Sequence, residues 1–394
     1  MHPPQPSHAV RRLALGLAAI AALAPARPAP AQAPIPLAGP VEVARPPELA
    51  PVADTLAARP PVVAAATPAV DTAAPVALPS PTAPAAPVRR RAAALMTPEA
   101  LRAPLRLPVA GGTGPRVLHV QVLLAGAGFS PGVLDGHWAG NTRGAVRAFR
   151  ASQGLPPGEA VDSLVYERLR AASYEREAVV GYTLTASDLR GPFREVPATY
   201  YAKAKLPCLC YASVDEKLAE RFQTTPGILK QLNPTVNFDS AAAGTPIVVP
   251  NMWRMPPAAA IARMVVDKKS GGLTGFDSTG TPVVWFATST GGPDNPSPSG
   301  VLTVRKVSLD PWYHYNPRVL KTGTGPTANL PPGPNSPVGT VWIQLSRAHI
   351  GIHGTPEPTK IGSAGSNGCV RLTNWDARFL AGLVRPGIEV EFRD

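Results

Sequence analysis

From residue 34 to about 105 the chain is built mainly of alanine and proline with scattered valine and threonine, a composition that cannot close a packed core. A disordered linker is expected over 34–105, so folded structure is confined to the sequence beyond it. Extended at roughly 3 Å per residue, some 70 residues would reach on the order of 200 Å, enough for an attached domain to search away from its point of entry. Arg89-Arg90-Arg91 reads as a solvated charge run.

With 50 prolines in 394 residues, the chain has room for two or three small domains rather than one large core. Ahead of the linker, Arg11 and Arg12 precede an apolar run at 13–23, which at about eleven residues is too short to span a bilayer comfortably. Residues 1–33 are therefore expected to be a signal peptide, with Ala31-Gln32-Ala33 as the small-residue cleavage site. Membrane attachment is expected only if that segment stays uncleaved, and no cysteine stands there to take a lipid. The expected location is exported, in the periplasm or cell envelope. A net charge of +12 raises the question of nucleic acid, but the arginines are spread through every segment without an aromatic and basic stripe. No nucleic acid is expected, and a basic surface facing an anionic envelope polymer is the simpler inference.

Beyond the linker, residues 117–124 (V-L-H-V-Q-V-L-L) are amphipathic, and a glycine-rich turn follows at Gly126 and Gly128. Residues 142–153 carry Ala145, Val146 and Phe149 at three- and four-residue spacing, and a third helix is expected near 163–169. Three short helices over 112–172 make a compact module.

The chemistry concentrates near the C-terminus, in G-I-H-G-T-P-E-P-T-K-I-G-S-A-G-S-N-G-C-V-R-L, where His353 and Cys369 stand sixteen positions apart. A thiol attacks as thiolate, and its usual pKa of about 8.5 is expected to fall beside an imidazole, for which His353 is the partner. Arg371 offers a planar cation suited to gripping a carboxylate bidentately. The backbone N–H groups of Gly368 and Cys369, preceded by Ser366, are positioned in sequence to form an oxyanion site. Together these residues point to acyl transfer from a carboxylate-bearing peptide.

Blander readings have to be set against this. A lone cysteine is more often a small buried hydrophobe, but its setting among Ser366, Gly368 and Arg371 reverses those odds. His349 and His353 are four apart, as on a zinc-binding helix. The intervening Ile350-Gly351-Ile352 alternates like a strand, and no carboxylate or third histidine is close in sequence, so neither metal nor cofactor is expected. His314, among Trp312, Tyr313 and Tyr315, reads equally well as part of a cleft or of a packed hairpin.

At these residues a resemblance is plain: I-H-G-T followed by S-N-G-C-V-R-L is similar to the signature of the L,D-transpeptidases of the YkuD type. It extends upstream through I-A-R-M-V-V-D at 261–267, V-V-W-F-A-T at 283–288, Pro298-Ser299-Gly300 and N-S-P-V-G-T-V-W-I at 335–343. Downstream it takes in Asn374, Asp376 and Leu380, where the family has a short helix, and a last strand at Gly387-Ile388-Glu389-Val390. The resemblance implies Cys369 as nucleophile, His353 as base, Arg371 as the carboxylate reader, and the Gly354 carbonyl as the group that orients the histidine. Asn367 departs from the histidine that many members carry after the motif serine.

Two further resemblances lie upstream. D-G-H-W-A-G-N-T-R-G-A-V-R-A-F, from Asp135, resembles the helical peptidoglycan-binding domain. Leu232-Asn233-Pro234 and Gly244-Thr245-Pro246-Ile247-Val248-Val249-Pro250 resemble a degenerate LysM module, with a spacer lacking sugar affinity as the alternative. The expected architecture is thus multidomain: a mainly-β catalytic domain over 258–394, a YkuD-type β-sandwich, preceded by a three-helix peptidoglycan-binding domain and a small α+β LysM-like module over 200–252. Cys208 and Cys210 are separated by one residue, where a direct bridge is expected to be strained, so reduced, alternative or intermolecular pairing stays open.

What the resemblance implies is an exported peptidoglycan L,D-transpeptidase that forms a Cys369 thioester with a tetrapeptide stem and passes the acyl group to an amine, with sensitivity to carbapenems. A carboxypeptidase or linkage hydrolase on the same scaffold, and a non-catalytic peptidoglycan-binding protein, are the alternatives. Nothing in the sequence sets the acceptor, the third stem residue or the oligomeric state.

Overall fold

A computed structural model describes residues 96–321 and 323–394. The expected signal segment and nearly all of the expected linker lie outside the described residues. The end of that linker is a correction, because residues 96–105 are structured. Thr97 caps α1 (Pro98–Arg102), its Oγ1 accepting from the Ala100 N–H at 3.2 Å, and Pro98 takes a helix-start position where a missing donor costs nothing. Met96 and Leu101 are buried in one cluster with Leu118, Val122 and Ile228. Two well-placed apolar side chains dock the segment, a signal that an average over the alanine and proline stretch conceals.

The helical module follows as α2 (Pro115–Gly126), the short strand β1 (Phe129–Ser130), α3 (Gly140–Ser152) and α4 (Ser163–Ala172). Residues at helical spacing, among them Val117, Val120, Leu124, Ala145, Phe149 and Leu169, meet in one core. Asp162 fixes the start of α4 by accepting from the Val165 N–H at 2.9 Å.

A second unit consists of β2 (Val179–Thr183), α5 (Tyr200–Lys203), α6 (Val214–Arg221), α7 (Pro226–Leu232) and β3 (Pro246–Pro250). Strands β2 and β3 pair antiparallel, with Gly181 opposite Val248. Leu218, Phe222, Leu229, Ile247 and Val249 form the core between this pair and the helices. The unit therefore begins at Val179 rather than at the expected residue 200. Its first strand is split from the rest by the segment 184–213, which we call the strap. The strap carries a direct Cys208–Cys210 disulfide with a Cα–Cα distance of 5.3 Å, inside the ordinary range for such bridges. Of the pairings that the sequence left open, the direct one is present.

The remaining elements are β4 (Arg263–Asp267), β5 (Gly272–Phe276), β6 (Pro282–Ala287), β7 (Gly300–Leu309), β8 (Tyr313–Tyr315), β9 (Ala328–Leu330), β10 (Val341–Leu345), β11 (Gly351–His353), β12 (Val370–Arg371), α8 (Asn374–Ala381) and β13 (Glu389–Arg393). Hydrogen bonding runs through nine strands in the order β1-β6-β5-β4-β13-β7-β10-β11-β12. The long β7 joins the two halves, its first residues pairing with β13 and its later ones with β10. Side chains of both halves, such as Met264, Phe286, Val341 and Ile352, enter one core together with Leu380 of α8. In place of two separate sheets, the expected sandwich is one continuous mainly-β sheet.

The modules are not beads on a string. Strand β1 of the helical module is the edge strand of the catalytic sheet, parallel to β6 with Phe129 opposite Trp285. Trp285 turns into the helical core, where the Gly144 backbone lies so close that a Cβ would sit 2.6 Å from the indole. Among the described residues no helix is long and apolar enough to cross a membrane.

Candidate active site

Strands β11 and β12 are short and lie side by side in parallel, with Ile352 opposite Val370 and His353 opposite Arg371. Side chains alternate along a strand with period two, so Cys369, two residues before Arg371, shares its face with both Arg371 and His353. All three open onto one cleft of about 1700 Å³.

His353 is almost wholly buried and stacks on Trp342, with centroids 5.5 Å apart and planes at 23°. Its Nδ1 lies 2.6 Å from the carbonyl oxygen of Gly354. A carbonyl only accepts, so the proton belongs on Nδ1 and Nε2 carries the lone pair. Burial drives the imidazole pKa down to about 4; the Gly354 contact opposes this, and the Arg371 charge adds to it.

The Cys369 thiol is partly buried, 3.5 Å from the carbonyl of His349. His349 itself holds a left-handed backbone conformation, φ 61°, which places a non-glycine residue under strain at the mouth of the site. Burial pushes the thiol pKa up, while the Gly351 N–H and Arg371 pull against that shift. The expected fall in the thiol pKa is therefore not met. Desolvation disfavours the thiolate and the imidazolium alike, and the resting pair is thiol and neutral imidazole.

Arg371 donates to the carbonyl of Gly365 at 3.2 Å and has no acidic partner among the described residues. Ser366 is differently employed from the expectation. Its N–H donates to Thr290 O at 2.8 Å and its hydroxyl to Cys369 O at 2.5 Å, so both donors shape the turn before Cys369 and neither is left for substrate. Gly368 sits at φ 98°, a conformation that favours glycine, and its carbonyl accepts from Ser297 Oγ at 2.9 Å. The N–H groups of Gly368 and Cys369 find no acceptor among the described residues.

Sequence reading missed several cleft residues. Trp342, the platform under His353, lies in a strand run that gives no sign of its role. Tyr200 and Lys203 reach the cleft from the strap, far upstream and outside any motif. The Trp312–Tyr315 cluster turns out to be both of its readings: β8 and β9 form a hairpin, Tyr315 packs beneath it, and Tyr313 and His314 line the cleft.

The fold and site thus bring a thiol, a buried neutral imidazole and a guanidinium to one face of one cleft. Residues 262–391 match the family model of the YkuD L,D-transpeptidase catalytic domain, and residues 113–169 match that of the "Putative peptidoglycan binding domain". A protein of Bacillus licheniformis named "Putative L,D-transpeptidase YkuD" is 29% identical over 175 residues, 44% of this chain and 90% of that protein. The "Probable L,D-transpeptidase YbiS" of Escherichia coli K12 is 26% identical over 224 residues, 55% of this chain and 72% of that one. A crystal structure of an L,D-transpeptidase from Xylanimonas cellulosilytica is similar at 15% identity and a TM-score of 0.32, over 74% of this chain and 98% of that one. The C-terminal region is an L,D-transpeptidase catalytic domain; the protein is an L,D-transpeptidase, and peptidoglycan is the substrate that its two matched domains imply.

Proposed function

We propose that Cys369 attacks the carbonyl preceding the terminal D-Ala of a tetrapeptide stem and that an amine of a neighbouring stem, or of a wall-attached protein, takes over the acyl group. The observation that carries this reading is the shared face of His353, Cys369 and Arg371 on β11 and β12, with His353 Nδ1 fixed by Gly354.

As the S–C bond forms, the thiol proton passes to Nε2 of His353, so a thiolate exists only during attack. The tetrahedral oxyanion is met by the N–H groups of Gly368 and Cys369. Collapse breaks the C–N bond, and the imidazolium returns its proton to the departing D-Ala amine. The acceptor amine then attacks the thioester, His353 takes its proton, and the sulfur leaves to be reprotonated. Arg371 holds a donor carboxylate. Trp342 keeps the imidazole plane fixed through both halves of the reaction.

The upstream units supply the wall contact. The strand-helix-helix-strand order of β2, α6, α7 and β3 supports a LysM-like reading of the second unit, a site for glycan. Export through a cleaved signal at 1–33 places the enzyme in the cell envelope. Incubation of purified chain with a tetrapeptide donor and a second stem tests the reaction. D-Ala release with a cross-linked dimer supports transfer, whereas release with tripeptide alone makes the protein an L,D-carboxypeptidase.

A further inference from the structure

The strap lies outside both matched domains, and its residues from Val196 to Lys203 form a wall of the catalytic cleft. Its Leu209 is fully buried against Tyr315 and Leu330. The Leu209 N–H donates to Pro332 O at 3.0 Å, and the Asn335 N–H donates to Leu209 O at 2.9 Å. Asn335 Nδ2 also donates to Cys210 O at 3.0 Å, so the residues of the disulfide loop are tied to the catalytic domain on both sides. Higher up, Tyr200 stacks on Tyr315 at 4.1 Å and the Tyr201 hydroxyl donates to Pro326 O at 2.9 Å. The segment is thus held against the β8–β9 hairpin by backbone and side-chain bonds and by a stacked aromatic pair.

These contacts hold Lys203 in the cleft lining. The lining carries the cations Lys203, Lys306, Lys321, Arg347 and Arg371 against one acid, Glu357, which is itself ion-paired to Lys360 at 2.5 Å. Lys306, Lys321 and Arg347 are exposed, whereas Lys203 and Arg371 are partly withdrawn from water. Lys203 has no ion-pair contact among the described residues, and burial pulls its ammonium below the usual lysine range, with the nearby charge of Glu357 opposing that shift. A half-desolvated ammonium that no carboxylate contacts directly binds an anion at less cost than a fully hydrated one, because part of its hydration is already gone.

We propose that Lys203 is a specificity residue of the strap, its ammonium binding a carboxylate of the acyl donor upstream of the one that Arg371 holds. The assignment rests on the stem-peptide reading above and adds to it that the donor must carry two carboxylates. The strap thereby lets the second unit, which lies outside the catalytic domain, choose the peptide that reaches Cys369.

Calorimetric titration of the full chain carrying Cys369→Ala tests this without turnover. The ligands are a donor tetrapeptide with free internal carboxylates and the same peptide with those groups converted to carboxamides. The acid form is expected to bind about tenfold more tightly, the scale of one charge-assisted hydrogen bond. Lys203→Gln should erase that preference and Lys203→Arg should keep most of it. Equal binding of the two peptides by the parent, an unchanged preference in Lys203→Gln, or binding of neither peptide would overturn the assignment. Thioester formation by the wild-type chain is read separately: a chain that discriminates but forms no thioester removes the catalytic reading and leaves Lys203 standing. A chain that turns over both peptides equally does the reverse.

Discussion

Arg254 and Asp376 meet at 2.6 Å with side chains 5% and 0% exposed, and the pair is a knot between all the folded parts of the chain. The Arg254 guanidinium also donates to Ser130 Oγ of β1 at 3.0 Å and to Gln223 Oε1, just past α6, at 2.6 Å. Ser130 in turn donates to Asp376 Oδ2 at 3.0 Å. Asp376 lies in α8, whose N-cap Thr373 sits four residues beyond Cys369.

Removing one member of this knot leaves a buried charge alone. Arg254→Met is expected to cost about 3–5 kcal/mol in urea unfolding, whereas Arg254→Met with Asp376→Leu should recover much of it, since an apolar pair needs no desolvation. Equal instability of the single and double variants would mean that the pair matters only for packing.

Asn374 links the second unit to the histidine loop. Its Oδ1 accepts from the N–H groups of Thr340 at 3.2 Å and Thr355 at 3.1 Å, while Nδ2 donates to Glu220 at 2.9 Å and Pro334 O at 3.1 Å. Gly339 and Gly354 have no room for a Cβ because the Asn374 amide fills that space. Asn374→Ala should destabilise the chain by about 2–4 kcal/mol, two buried donors being left unpaired. It should also lower kcat with little change in KM, because the Gly354 carbonyl that orients His353 loses its support. An unchanged kcat would detach this network from catalysis.

The proton inventory makes a pH prediction. A base with its pKa near 4 stays neutral through the mildly acidic range, so acylation should hold its rate down to about pH 5 instead of falling near 6.5. Alkylation of Cys369 by iodoacetamide should rise only above the ordinary thiol range, since burial raises that pKa. Stability follows the same histidine: its folded pKa lies below the unfolded value, so the unfolded chain binds the extra proton first. Stability is therefore full above about 6.5 and is lost as pH falls from there through about 4. A rate profile with an acid limb near 6.5 would place the base elsewhere.

At the seam between the helical module and the sheet, Gly144→Ala forces a methyl into the Trp285 ring. Overpacking of this kind costs about 1–3 kcal/mol, and the loss should concentrate in faster amide exchange along β1 and β6, with the distant β10–β11 pairing protected as before. Uniform change across the sheet would contradict a local seam.

How much of this was legible beforehand depends on sequence distance. The juxtaposition of His353, Cys369 and Arg371 could be read directly because two short neighbouring strands and one loop hold all three, so the cluster is local in the chain. Gly354 was readable for the same reason. Lys203 and Tyr200 were not, since they enter the cleft through a docked strap from another unit, and only tertiary packing reveals that. The thiol pKa was misjudged because proximity to an imidazole is visible in a motif whereas desolvation is not. Strand β1 was hidden in a glycine-rich turn, two residues long and strand only because β6 pairs with it. The partners of Ser366, Thr290 O and the Cys369 carbonyl, were not legible either, since the first lies far from it in sequence.

The most direct test is intact-mass spectrometry of the full chain with a tetrapeptide donor, with and without a second stem. The account predicts a covalent acyl adduct with loss of D-Ala on the wild-type chain, cleared with formation of a cross-linked dimer when the acceptor is added, and no adduct on Cys369→Ala. An adduct that survives in Cys369→Ala, or D-Ala release without any Cys369-dependent mass, would contradict it.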